Sequence, residues 1–78
     1  MAKIALTAMK NNQKGKVLEI LSGQALQQRL LAMGIAPGRE ITKLSQFMLK
    51  GPLAVKVGRA VLALGYGTAS KVIVETNG

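Results

Sequence analysis

Residues 24–38 read Gln24-Ala25-Leu26-Gln27-Gln28-Arg29-Leu30-Leu31-Ala32-Met33-Gly34-Ile35-Ala36-Pro37-Gly38, a stretch that starts a helix and then stops it. Leu26, Leu30 and Met33 recur at helical spacing while Gln27, Gln28 and Arg29 take the other side. This predicts one amphipathic helix over Gln24 to Met33, with Ser22 as its N-cap. Gly34 falls where a left-handed C-terminal cap is needed, and Ile35 just beyond can fold back on Leu30, the contact that accompanies a Schellman motif. Pro37-Gly38 then has the order of a type II turn, in which Pro fixes φ at the first central position and Gly supplies φ > 0 at the second. Gly34, Pro37 and Gly38 are thus read as structural turn residues.

On both sides of this stretch the pattern is strand. Upstream, Lys14-Gly15-Lys16 precedes Val17-Leu18-Glu19-Ile20-Leu21, an apolar run expected to form the first strand, and the residues before Lys14 read as a lead-in with a turn at Asn11-Asn12. Downstream, strands are expected over Glu40 to Gln46, Leu53 to Val57, Arg59 to Leu64 and Lys71 to Glu75, broken by Lys50-Gly51-Pro52, by Gly58 and by Gly65-Tyr66-Gly67. In Val55-Lys56-Val57 the alternation turns Val inward and Lys outward. A flat sheet this small would leave much of its apolar face wet, so closure is the economical arrangement. The expected fold is mainly β: a small SH3-like β-barrel of about five strands with one short helix between the first and second strands, an OB-like barrel being the alternative.

Seventy-eight residues suffice for a single domain spanning 1–78 and are too few for two cores. Residues of the apolar set make up 49%, but Phe47 and Tyr66 are the only aromatics, so Leu, Val, Ile, Ala and Met must fill the interior. With neither Cys nor His, the chain has no disulfide, thiolate zinc ligand, cysteine nucleophile or imidazole base. The acids are Glu19, Glu40 and Glu75, far apart among 11 Lys and Arg, which argues against paired-carboxylate or metal-dependent catalysis and against an enzyme. The methionines, as soft ligands, offer no iron site of this chain's own: Met33 is assigned to the helix's apolar face, Met1 is the start, and Met9 and Met48 are scattered. No cofactor is expected. No stretch approaches the roughly 18 apolar residues of a membrane span. The first ten residues lack a signal-like apolar core and cleavage site, so a cytosolic location is expected, without membrane insertion. The net charge of +8 favours a negatively charged partner, whether nucleic acid, the anionic inner leaflet of a membrane or an acidic protein face, or serves solubility.

The series Leu30-Leu31-Ala32-Met33-Gly34-Ile35-Ala36-Pro37-Gly38, a hairpin, then Ala60-Val61-Leu62-Ala63-Leu64-Gly65 and Ala69-Ser70-Lys71-Val72-Ile73-Val74 resembles the ferrous-iron transport protein A family, FeoA, over nearly the whole chain. The resemblance implies a stand-alone SH3-like barrel in the cytosol. It also implies a regulatory or adaptor role for the bacterial ferrous-iron transporter FeoB, whose cytoplasmic part includes a GTP-hydrolysing domain. The same barrel ends iron-dependent repressors of the diphtheria-toxin-repressor type, but 78 residues leave no room for a helix-turn-helix domain. One departure stands out. Where members often carry a Pro-Leu-Gly-Asp-Pro-like hairpin tip, this sequence has Met48-Leu49-Lys50-Gly51-Pro52, with a lysine and no acid.

The candidate partner-binding residues are Arg29, Phe47, Met48, Leu49 and Lys50. Phe47, Met48 and Leu49 form an apolar triplet in the predicted hairpin, where large apolar side chains can anchor an interface, although at least one of them is expected to enter the core. Lys50 adds positive charge beside them, and Arg29, on the polar side of the helix, can meet an acid on a partner. Gly65-Tyr66-Gly67 reads as turn chemistry, since a phosphate loop needs a following helix and a Lys-Ser/Thr pair. The competing function is a basic barrel binding nucleic acid non-specifically through charge. Two separated aromatics are a poor platform for stacking bases, and they also rule out an aromatic groove for polyproline, so nucleic acid is not the expected partner. An unpaired sheet edge permits weak self-association.

Overall fold

The computed structural model describes residues 2–77. In chain order it contains β1 (Ala2–Ala5), a single 3-10 turn (Leu6–Ala8), β2 (Gln13–Ile20), α1 (Gln24–Ala32), β3 (Glu40–Gln46), β4 (Leu53–Val57), β5 (Ala60–Leu64), a one-turn α2 (Tyr66–Ala69) and β6 (Val72–Thr76). The six strands make one antiparallel sheet in the order β1-β6-β2-β3-β4-β5. The expectation of five strands therefore falls one short. The supposed lead-in holds β1, paired from Ala2 opposite Thr76 to Ala5 opposite Ile73, and β2 begins at Gln13 instead of Val17. The long helix consequently lies between the second and third strands, not the first and second.

The closed barrel is corrected as well: β1 and β5 end the sheet, and among the described residues no pairing joins them. The sheet still curls. Leu6, just past β1, and Leu64, on β5, are both buried in one cluster with Val17, Ile41, Val55 and Val74, which brings the two ends over a common core. Two irregularities assist. Between Val17 and Glu19 the β2–β6 register shifts, leaving Leu18 as an extra residue, so that Val17 and Ile20 both turn inward. A second shift, between Lys43 and Ser45, leaves Leu44 extra in the β3–β4 pair. Such bulges sharpen the local twist of a strand. At Gly15 an added Cβ would overlap Val74 Cγ1 and come within 2.9 Å of the Glu75 carbonyl oxygen, so β2 passes β6 at a distance only glycine permits.

The N-cap of α1 is Gly23, not Ser22. Gly23 takes the extended cap conformation, and the Ser22 carbonyl accepts a bond from Gln27 Nε2 at 2.8 Å. At the other end Gly34 (φ +88°) donates its N–H to the Leu31 carbonyl and Ile35 donates to Leu30, both at 2.9 Å, the two bonds of a Schellman motif. Met33 becomes the C-cap residue and is 38% exposed, because Ile35, folded back and fully buried, covers Leu30 in its place. Arg39 N–H closes the turn to Ala36 O at 3.1 Å with Gly38 at φ +92°. The turn then docks on β2, where Gly38 N–H donates to Val17 O and Val17 N–H to Arg39 O. Val55 and Val57 are buried and Lys56 exposed. At Gly65-Tyr66-Gly67 the expected turn is the single helical turn of α2, with Tyr66 packed against the core.

Candidate functional site

The hairpin between β3 and β4 ends its ladder at Gln46 opposite Leu53. Six residues, 47–52, project beyond it. Phe47 N–H donates to Pro52 O at 3.0 Å to close the loop, Met48 sits at φ +64°, and at Gly51 any Cβ would overlap the Phe47 carbonyl oxygen. A non-glycine residue in the left-handed region is uncommon and needs surrounding contacts to hold it.

Those contacts come from inside the sheet. Lys43 occupies an inward position of β3 and is only 4% exposed. Its Nζ donates to Met9 O at 2.7 Å, to Gln46 Oε1 at 2.8 Å and to Thr7 O at 3.2 Å. Gln46 Nε2 in turn donates to Leu49 O at 2.6 Å. A hydrogen-bonded chain thus runs from the 3-10 turn after β1, through Lys43 and Gln46, to the loop backbone. Burial pushes the Lys43 ammonium below its usual pKa, since desolvation disfavours the charged form.

The result is an exposed apolar tip: Phe47, Met48 and Leu49 are 69%, 73% and 90% exposed. None of the three enters the core, contrary to the expectation that at least one would, because the paired strands end before the tip begins. Met48, Leu49, Lys50 and Gly51 line a shallow recess there. Arg29, in the last turn of α1, is exposed and does not join that recess. Sequence reasoning missed Lys43 and Gln46, although the alternation of Glu40-Ile41-Thr42-Lys43 already turns Lys43 to the same side as Ile41. It also missed a second apolar area, where Leu31, 61% exposed, and Pro37 line a groove beside α1 with Gln24, Gln27 and Gln28.

Charge is organised on the outer face. The cross-strand row Glu40, Lys16, Glu75, Lys3 alternates in sign over β3, β2, β6 and β1 and engages two of the three acids. The neighbouring row Lys14, Thr42, Lys56, Val61 carries no acid and runs to the β5 edge. Among the described residues no three of His, Cys, Asp or Glu gather to hold a metal. Met9 is buried in the core, Met48 and Met33 are exposed, and Met1 lies outside the described residues. No helix of the described residues is long and apolar enough to cross a membrane.

The family model of the FeoA domain matches residues 4–76. The chain belongs to the FeoA family. Its fold superimposes on the crystal structure of an iron uptake regulatory protein, FeoA, with 35% identity and a TM-score of 0.87 over 96% of this chain and 97% of that one. The FeoA-like protein of Clostridium acetobutylicum is 25% identical with a TM-score of 0.84, covering 99% of this chain and 90% of that chain. The zinc complex of Stenotrophomonas maltophilia FeoA, described as an SH3 domain protein, is 24% identical with a TM-score of 0.80, covering 92% and 89% of the two chains. The open FeoA sheet is thus SH3-like, and the family links the chain to ferrous-iron transport. No curated protein matches it.

Proposed function

We propose that this FeoA-family chain is a non-catalytic binding module of bacterial ferrous-iron transport. It acts in the cytoplasm, docking through its β3–β4 tip on the cytoplasmic, GTPase-containing part of the FeoB transporter. The observation that carries this reading is the exposure of Phe47, Met48 and Leu49 together on a loop whose backbone is held by Lys43 and Gln46. A pre-formed apolar tip loses little conformational freedom on binding, and its side chains gain what the core did not take from them. Lys50 beside the tip favours an acidic rim on the partner. Arg29 is a separate, weaker contact.

The charge-only reading, a nucleic-acid-binding barrel, has less support. Tyr66 is partly buried and packed against the core, which leaves Phe47 as the one largely exposed aromatic and no surface on which successive bases could stack.

Calorimetric titration with the transporter's soluble cytoplasmic domain tests the docking. Leu49→Ser is expected to weaken Kd by about tenfold or more, the scale of one buried leucine, while the melting temperature stays unchanged. Lys50→Glu is expected to weaken it less and to lose its effect at high salt. Unaltered affinity in both variants removes the tip from the interface.

A further inference from the structure

β5 is an edge strand, paired with β4 on one side and, among the described residues, with no strand on the other. Its sequence, Ala60-Val61-Leu62-Ala63-Leu64, holds no charge and no proline, the devices by which edge strands ordinarily discourage further pairing. The other edge, β1, carries Lys3. The hairpin register fixes which backbone groups of β5 are free. Val57 faces Ala60 across the two-residue turn Gly58-Arg59, and the closing pair of such a turn exchanges both its hydrogen bonds. Leu62 and Leu64, two and four residues on, direct their N–H and C=O groups at β4 in the same way. Val61 and Ala63 therefore direct theirs outward, and both residues are exposed.

The charged side chains in the rows that end on that edge are all basic. Val61 ends the row that contains Lys56 and Lys14 with no acid among them, and Arg59 stands at the start of the strand. An incoming strand lays alternate side chains on this outer face, so the one that fits carries Glu or Asp where it lies beside Val61 and Lys56. A second copy of the chain fits poorly, since its β5 offers no acid and its net charge is also +8. We propose that β5 is a strand-addition site for an extended acidic peptide segment of another protein, with Val61 and Ala63 supplying the backbone bonds and Lys56, paired with Val61, a basic side chain on the facing side. This goes beyond tip docking and holds whichever protein supplies the strand.

The test is an NMR titration of the labelled full chain with a blocked peptide alternating Glu and Val over six residues. A blocked Lys-Val hexapeptide and a dilution series without peptide run beside it. The expected result is saturable shifts centred on Val61 and Ala63, slowed amide exchange at those two residues, and at least tenfold weaker binding of the Lys-Val peptide. Ala63→Pro removes an outward N–H and is expected to abolish binding. Val61→Glu keeps every N–H and is expected to weaken it, while Leu49→Ser, at the tip, leaves it unchanged. The proposal is overturned by shifts centred on the tip or α1, by equal binding of both peptides, by loss of binding in Leu49→Ser, or by no saturation up to about 10 mM peptide. Concentration-dependent shifts at Val61 without peptide also overturn it, because they make a second copy the occupant.

Discussion

Lys43 carries an ammonium into the interior, where all three of its acceptors are neutral oxygens. Burial lowers its pKa from the ordinary 10.5, so near and above the folded-state value the unfolded chain binds more protons than the folded one. The folded state bears the cost of the buried charge at neutral pH and is relieved of it as pH rises through the lowered pKa toward 10.5. The stability of the parent protein relative to Lys43→Met should therefore increase with pH over that window and be flat below it. Denaturant melts of the two proteins across the alkaline range measure this, and a difference independent of pH would mean that Lys43 is not desolvated. Residues of this kind are legible only in part from sequence. Alternation places Lys43 inward, but its acceptors Thr7 and Met9 lie more than thirty positions away, in a segment whose path is set by tertiary pairing. Gly34 is the opposite case: the need for φ > 0 immediately after a helix is local, and glycine meets it without steric cost.

Among the elements, those missed are the ones whose stability is not their own. β1 is four residues, Ala-Lys-Ile-Ala, with one β-branched side chain, and it is a strand because β6 lies beside it. β2 begins four residues earlier than its apolar run because the ladder with β3 extends through Gln13, Lys14, Gly15 and Lys16 whatever their propensities. The bulges at Leu18 and Leu44 break the alternation that makes strands readable, since each puts one residue more on its strand than on the partner. Gly15, placed ahead of the strand by the apolar pattern, lies inside one at a close crossing. Gly15→Ala is expected to destabilise the protein by about 1–3 kcal/mol, the cost of forcing a methyl into occupied space, because the new Cβ meets Val74 and the Glu75 backbone. An unchanged denaturation midpoint would show that β2 and β6 separate there without penalty.

At the scale of the molecule, 14 buried apolar residues among those described form one cluster drawn from both ends of the sheet and from the helix stop, while the apolar triplet at the tip remains outside it. The mainly β class, the long helix and its sharp stop were legible because each rests on local periodicity or turn chemistry. Strand order, the open edge and the support beneath the tip were not, because they depend on which distant segments lie side by side. The proposed role of this FeoA-family chain rests on that outlying tip as its binding surface. The most direct measurement is an NMR titration of the labelled chain with the transporter's soluble cytoplasmic domain at about 0.05 and 0.2 M salt. Saturable shifts at Phe47, Met48, Leu49 and Lys50 that persist at the higher salt are predicted. Shifts that avoid residues 47–50, or no shifts with the domain beside salt-sensitive shifts with a mixed-sequence single-stranded oligonucleotide, would contradict it.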